Sequence, residues 1–372
     1  MRVAITHDYL TQYGGAEKVL EALATIWPDA DIFTTFYDRA RLAKFGLRIP
    51  ESRIHALVPT WLPHSGPARK AWTFAYPVCW RSLDLRTYDL VISSTSYAAH
   101  HVQVRPDAKH VCYCHTPPRF LYGLTTELPH DRMRRYVPFL PRVYDRLRQL
   151  DVEAASRVTC FVANSKEVQQ RIHRFYGRDS TVIYPPVETA AFGPATAQER
   201  QATREYFLAF GRLVGSKRVD LVIEAANLAG VPLVVQGTGP WERRLRKMAG
   251  QTVRFAGWLP QPDLRDLVQN AAAMVFAAEE DFGIVLVEAM AAGTPVIAYE
   301  SGGARESVVA GVTGEFFSPQ DATALAGILR TFDSTRYSVQ ACVARAAQFD
   351  AHHFEEQITQ LVAGVLQEHR RY

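Results

Sequence analysis

The sequence predicts an α/β protein made of two doubly wound parallel sheets in tandem, on three observations. Short apolar runs recur along the chain, separated by helix-length segments, and strict alternation of strand and helix places strands parallel with helices on both faces. A length of 372 residues is enough for two domains of ordinary size. The alternation is interrupted by Pro185-Pro186 and the stretch 193–201, which read as a linker.

In the N-terminal half a strand is expected over Val3–His7, then a loop ending in Gly14-Gly15 and an amphipathic helix to about Trp27. Strand Asp31–Tyr37 follows. Residues 39–88, rich in Pro, Arg and aromatics, read as irregular. Strands recur at Asp89–Ser94, His110–His115, Val158–Asn164 and Thr181–Tyr184. The second half is more regular, with strands at Tyr206–Phe210, Pro232–Gln236, Val253–Ala256, Met274–Ala278, Pro295–Tyr299 and Gly314–Phe317. The tail from about His353 to Tyr372 reads as one amphipathic helix. The expected division is 1–192 together with the tail helix, and 193–352. The two domains would face a central cleft, a common place for ligands.

Composition is that of an ordinary soluble chain, 48% apolar and 22% charged. No run approaches a membrane span, and the N-terminus reads as a strand rather than a signal peptide. The five cysteines form no Cys-x-x-Cys pair. Cys112 and Cys114 lie on one strand and face one side, as core thiols of a reducing, cytoplasmic protein without structural zinc. Charge is uneven: residues 1–195 carry 25 Lys and Arg against 18 Asp and Glu, a net +7, and the remainder 17 against 20, a net −3. The basic half suits an anionic partner, either phosphate, nucleic acid or a membrane surface.

The candidate site centres on Glu280-Asp281-Phe282-Gly283-Ile284-Val285-Leu286-Val287-Glu288. This segment follows an apolar run and opens a helix, so it lies at the carboxyl end of a strand, where open parallel sheets bind ligands. Two acceptor-only carboxylates suit a polyhydroxylated ligand. They equally suit a helix N-terminus, whose dipole favours acidic groups. Gly283 allows close backbone approach, and the helix start offers free N–H groups to an anion.

Other strand-end loops add to it. Gly14-Gly15-Ala16-Glu17 lacks the dinucleotide and Walker spacings, and fits a phosphate- or sugar-contacting turn or a plain one. Arg212 and Lys217 could clamp a diphosphate or stand as solvated cations. Gly237-Thr238-Gly239 and Ser301-Gly302-Gly303 are further glycine loops at strand ends. His115 ends a strand, as a structural or a cleft-facing imidazole. Asp29 and Asp31 read as a turn and the start of a strand rather than a metal site, and His100 and His101 have no evident partner.

Taken together in order, these motifs resemble the retaining glycosyltransferases of family 4, which have the GT-B fold of two Rossmann-like domains. The finer resemblance is to the bacterial O-antigen and exopolysaccharide mannosyltransferases, carried by Cys114-His115-Thr116-Pro117-Pro118-Arg119-Phe120-Leu121-Tyr122 and Val182-Ile183-Tyr184-Pro185-Pro186-Val187. The segment Pro118–Phe120 departs from that subgroup's pattern. The resemblance implies an acceptor-binding N-terminal domain, a nucleotide-sugar-binding C-terminal domain, and a tail helix that returns to the first. Glu288 would hold the ribose hydroxyls. Glu280, with the backbone of Phe282, Gly283 and Ile284, would hold the donor sugar. Arg212, Lys217 and Gly15 would meet the diphosphate, His115 the transferred sugar, and Trp258 and Leu259 the base. The donor would be a nucleotide sugar, GDP-mannose first and a UDP-hexose as the alternative, with no metal or other cofactor. A non-catalytic sugar-nucleotide-binding protein is a further class. A nucleic-acid-binding module would leave the glycine loops and acidic pair unused.

Arg69, Lys70, Trp72, Phe74, Tyr76, Trp80 and Arg81 mix cations with aromatics, and Arg132, Arg134, Arg135, Arg142, Arg146 and Arg148 add charge. Such a surface could rest on the anionic inner face of the plasma membrane and receive a saccharide or lipid-diphosphate-saccharide acceptor. It could equally be a solvated basic face over buried aromatics.

Overall fold

The computed structural model describes residues 1–59, 62, 66–124, 140–193 and 204–368. The chain divides into two compact units, Met1–Pro186 with Phe354–Tyr372, and Val187–His353.

The first unit holds a seven-stranded sheet of β1 (Val3–His7), β2 (Asp31–Thr34), β3 (Ile54–Ala56), β4 (Leu90–Thr95), β5 (Lys109–Cys114), β6 (Cys160–Ala163) and β7 (Ser180–Val182). Their order is β3-β2-β1-β4-β5-β6-β7, and every pairing is parallel. β1 and β4 are buried along their whole length, as expected of strands covered on both faces. The helix Gly15–Ile26 turns Val19, Leu20 and Leu23 into the core beside Ile5 and Ile32. Helix Lys166–Tyr176 starts at Ser165, whose hydroxyl accepts from Val168 N–H at 3.2 Å, and stops at the left-handed Gly177.

The second unit holds β8 (Phe207–Phe210), β9 (Leu233–Gln236), β10 (Val253–Gly257), β11 (Ala273–Phe276), β12 (Val296–Tyr299) and β13 (Gly314–Phe317). The order is β10-β9-β8-β11-β12-β13, again all parallel. Strand order therefore reverses beside β1 and β4 in one sheet and beside β8 and β11 in the other. These reversals open a crevice at the carboxyl ends, which is where such sheets bind ligands.

Two parts differ from expectation. The described residues of the segment 39–88 hold regular elements: helix Arg39–Lys44, strand β3 and helix Gly66–Ser82. Pro77 lies inside that last helix. An interior proline costs about 3 kcal/mol, but Tyr76 and Trp80 are buried beside it, and burial of large aromatics outweighs that cost. Secondly, the units meet at 186/187, not 192/193. Val187 N–H bonds Phe349 O at 3.2 Å, Ala351 N–H bonds Val187 O at 3.0 Å, and Phe192 is buried, so 187–192 joins the second unit.

The final helix Ala351–Glu368 lies mostly in the first unit. Phe354, Ile358 and Val362, at helical spacing, are buried in the same core as Val3, Ile5 and Tyr113. Phe354 meets Tyr113 edge to face at 5.6 Å. Each such side chain contributes about 1.5–3 kcal/mol of burial.

Candidate functional site

In the second unit the loops after β8, β9 and β10 are tied together by backbone. Gly211 N–H donates to Gln236 O at 3.1 Å, Leu213 N–H to Thr238 O at 3.0 Å, and Gly237 N–H to Gly257 O at 2.8 Å. Gly237 has φ +121°, and a Cβ there would lie 1.9 Å from Gly211 O. Its glycine character is thus explained by loop packed on loop, without a ligand. Gly237→Ala is expected to destabilise the protein by at least ~2 kcal/mol, seen as a lower thermal midpoint; an unchanged midpoint would contradict this packing.

The acidic loop after β11 is held in the same manner. Glu280 O accepts Gly303 N–H at 2.9 Å. A Cβ on Gly302 would stand 2.2 Å from that oxygen, and one on Gly303 2.3 Å from Phe282 Cα. The Phe282 side chain is buried against Phe349 at 5.4 Å, which leaves its backbone as the part able to meet a ligand. Gly283, at φ 86° and ψ 64°, starts helix Ile284–Ala291 and has no side chain to cap its first-turn amides, of which Leu286 N–H donates to Gly283 O at 2.9 Å. Glu288 sits in this helix and is only 5% exposed.

Across the reversal between β8 and β11, Lys217 Nζ pairs with Glu280 Oε1, each about a quarter exposed at 25% and 24%. Lys217 ends the short helical turn Gly215–Lys217. Arg212 is exposed on the same loop. Arg218, which the sequence did not single out, takes the left-handed φ of 50°; its Nη1 donates to Gln320 Oε1 at 3.2 Å, while Gln320 Nε2 donates to Ala277 O at 2.8 Å. That chain braces the cationic loop to the end of β11. Trp258 follows the edge strand β10 with 57% of its surface exposed, and Leu259 is half-buried. A shallow depression of about 600 Å³ lined by Gly239, Pro240, Glu242, Arg243, Arg246 and Lys247 includes none of Arg212, Lys217, Glu280 and Glu288.

The first unit brings together polar groups at the ends of β1, β4 and β5. His7 pairs in register with Ser94. Ser94 Oγ lies 3.2 Å from His7 Nδ1 and 2.9 Å from His115 Nε2. His7 Nε2 faces Glu17 Oε1 at 3.8 Å. The His115 pKa is pushed down, first by desolvation and then by the His7 ring, against the pull of Asp8. Gly15, exposed, begins the helix after the Gly14 N-cap. Asp8 is buried and accepts from the backbone N–H groups of Ser96, Tyr97, Ala98 and Ala99 at 2.6–3.0 Å, with Thr95 Oγ1 at 2.9 Å and Ser96 Oγ at 3.2 Å. His7, Asp8 and Ser94 were not anticipated, and Glu17 was named only as part of the Gly14–Glu17 turn. The signal for the first three was polar residues following the apolar starts of β1 and β4, while Glu17 lies in the first turn of helix Gly15–Ile26.

His100 and His101 do have a partner. Their Nε2 atoms lie 3.2 and 3.4 Å from Asp151 Oδ1, while Tyr122 and Tyr176 donate to Oδ2 at 2.8 and 2.9 Å. The Asp151 carboxyl is held well below its usual range; burial acts to raise it, and the two histidines outweigh burial. Cys112 and Cys114 are buried and in no disulfide, and burial pushes the Cys112 thiol up. Asp31 starts β2 and accepts from Tyr88 Oη at 2.6 Å, a structural role.

Of the basic aromatic stretch, Tyr76 and Trp80 belong to the core rather than to a surface. Arg142 and Arg146 are exposed, and Arg148 pairs with Asp145 at 2.5 Å. Arg132, Arg134 and Arg135 lie outside the described residues, as do the side chains of Arg69 and Lys70. No helix among the described residues is long and apolar enough to cross a membrane.

Two family profiles match the chain, one on each side of residues 192–195. The profile "Glycosyltransferase Family 4" matches residues 13–191 and "Glycosyl transferases group 1" residues 196–349. A GDP-mannose-dependent phosphatidylinositol monomannoside mannosyltransferase of Corynebacterium glutamicum is 33% identical over 199 residues, 45% of this chain and 50% of its own. Glycogen synthase of Mycobacterium tuberculosis is 31% identical over 193 residues, 48% of this chain and 45% of its own. The chain thus spans about half the length of the curated relatives it matches. Among solved structures, Anabaena HepE in complex with UDP superposes with a TM-score of 0.71 at 20% identity, covering 98% of this chain and 100% of that one. Sucrose-phosphate synthase of Thermosynechococcus elongatus gives 0.70 at 18%, covering 99% and 100%. Both likenesses establish the GT-B fold of two Rossmann-like domains. Since the two profiles between them take in all but short segments of the chain, it belongs to the family 4 glycosyltransferases.

Proposed function

We propose that this protein is a retaining glycosyltransferase that moves a hexose, first of all mannose from GDP-mannose, to a saccharide acceptor carried on a lipid diphosphate. The observation that carries the reading is the Lys217–Glu280 pair spanning the strand reversal of the second unit, next to an uncapped helix start. A departing nucleoside diphosphate gathers negative charge, which Lys217, Arg212 and first-turn amides can stabilise in place of a divalent ion. Glu280 then accepts hydrogen bonds from the donor sugar, and Glu288 from the ribose. Trp258 and Leu259 take the base, and Gly15 and His115 of the first unit take the diphosphate and the transferred sugar.

Chemically, the acceptor oxygen bonds to the anomeric carbon on the face the diphosphate leaves, the carbon–oxygen bond to phosphate breaks, and a phosphate oxygen receives the acceptor's proton. No protein base is required. Glu280 and Glu288 are therefore not a hydrolase pair, which would flank the sugar bond. Relatives named as GDP-mannose-dependent favour the guanine donor. The UDP held by HepE favours a UDP-hexose as the second reading. The acceptor side, with the exposed Arg142 and Arg146, is suited to the cytoplasmic face of a membrane and to cell-surface polysaccharide synthesis.

A thermal-shift panel of GDP, UDP, ADP and their sugars, with and without EDTA, tests the donor. Stabilisation by GDP and GDP-mannose at 100 times Kd should reach about 2.7 kcal/mol, unaffected by chelation. Selective stabilisation by UDP would move the donor to a UDP-hexose. No response to any nucleotide would remove the reading.

A further inference from the structure

We infer that Glu17, His7 and Ser94 act together as positioning residues that fix the tautomer of His115, with its proton on Nε2 and a bare Nδ1 offered to a hydroxyl of the transferred sugar. The inference rests on the proposal that His115 meets that sugar, and it adds which atom does so and in which direction the hydrogen bond runs.

The number of available protons fixes the direction of each contact. The Ser94 hydroxyl carries one proton and stands between two imidazole nitrogens, 3.2 Å from His7 Nδ1 and 2.9 Å from His115 Nε2. At most one of the two contacts can be O–H to nitrogen; once that proton is used, the other must be N–H to oxygen. The direction is set at the far end. The Glu17 carboxylate is 2% exposed and faces His7 Nε2 at 3.8 Å. A bare nitrogen there would oppose its lone pair to a buried anion, whereas an N–H opposes it with a positive end. His7 thus carries its proton on Nε2 and leaves Nδ1 bare to receive the Ser94 proton. Ser94 oxygen then accepts from His115 Nε2–H, and His115 Nδ1 is left without a proton.

The surroundings do not compete. Asp8, the nearby carboxylate that bears on His115, already accepts from four backbone amides and two hydroxyls. His115 Nδ1 has no hydrogen bond within the protein among the described residues, and His115 as a whole residue is half-buried. A bare imidazole nitrogen accepts from a hydroxyl and repels a phosphate oxygen. The relay therefore makes His115 select the sugar end of the donor over its diphosphate.

Long-range proton–nitrogen NMR spectra of the full chain labelled with ¹⁵N-histidine test this, with His115 assigned from the signals missing in His115→Gln. The expected result is a protonated Nε2 and an unprotonated Nδ1 at His115. Ser94→Ala and Glu17→Ala should lose that single tautomer, and Ser94→Thr, which keeps the hydroxyl, should retain it. In parallel, Ser94→Ala should lower kcat/KM for the donor about tenfold, the worth of one hydrogen bond, and Ser94→Thr should recover most of it. A proton on Nδ1 in the unmodified protein, or the same tautomer in Ser94→Ala and Glu17→Ala as in the parent, would overturn the relay. A tautomer that behaves as expected, with full transfer by His115→Gln, would uphold the relay and overturn the sugar contact.

Discussion

Glu280→Gln should lower the turnover of sugar transfer by about 10²–10³-fold while leaving GDP affinity unchanged or up to about threefold tighter. The substitution keeps shape, removes the charge and turns one acceptor oxygen into an NH2 donor. That charge has two roles in the structure. It strengthens acceptance from sugar hydroxyls as the anomeric centre becomes cationic, and in the unliganded protein it pairs with Lys217. Once it is gone, Lys217 faces the diphosphate without a competing anion, so nucleotide binding does not suffer. Steady-state kinetics with calorimetric titration of GDP separate the two effects. A fall in GDP affinity that matches the fall in rate would place Glu280 on the nucleotide instead, and an undiminished rate would take it out of the sugar site.

Glu288→Gln should have the converse signature. This carboxylate is nearly buried within helix Ile284–Ala291, and a charge-assisted hydrogen bond is worth about 1.5–3 kcal/mol. GDP should therefore bind roughly 10- to 100-fold more weakly, with KM for the donor rising in step and turnover at saturating donor nearly preserved. Loss of turnover with intact GDP binding would argue for a part in the chemistry that two equivalent carboxylates would share.

Much of this is legible in the sequence. The alternation of buried strands with helices marked both sheets, because covered parallel strands read as near-continuous apolar runs. Glu280, Lys217 and Gly283 were readable as strand-end residues, because connectivity alone puts such loops on one edge. What stayed hidden depended on register and on tertiary burial. Nothing in the sequence states that His7 lies opposite Ser94, since 87 positions separate them and the pairing is made by the sheet. Asp8 has the same character, being satisfied by a turn that β4 supplies. The helix Gly66–Ser82 was concealed by Pro77, whose local penalty is overcome by aromatics packed from elsewhere. The glycines at 237, 302 and 303 were visible, but their reason was not: they make room for neighbouring backbone.

The tail helix has a consequence for synthesis on the ribosome. Phe354, Ile358 and Val362 fill the core that Val3 and Ile5 begin, so the first unit to be translated is the last to be finished. Between Pro186 and Phe354 lies the whole of Val187–His353, which takes roughly 10–30 s to make at about 5–20 residues per second. Throughout that interval the nascent first unit holds an apolar groove with no occupant, the kind of surface that chaperones shield. The second unit has no such wait, and can close as soon as its own strands have emerged.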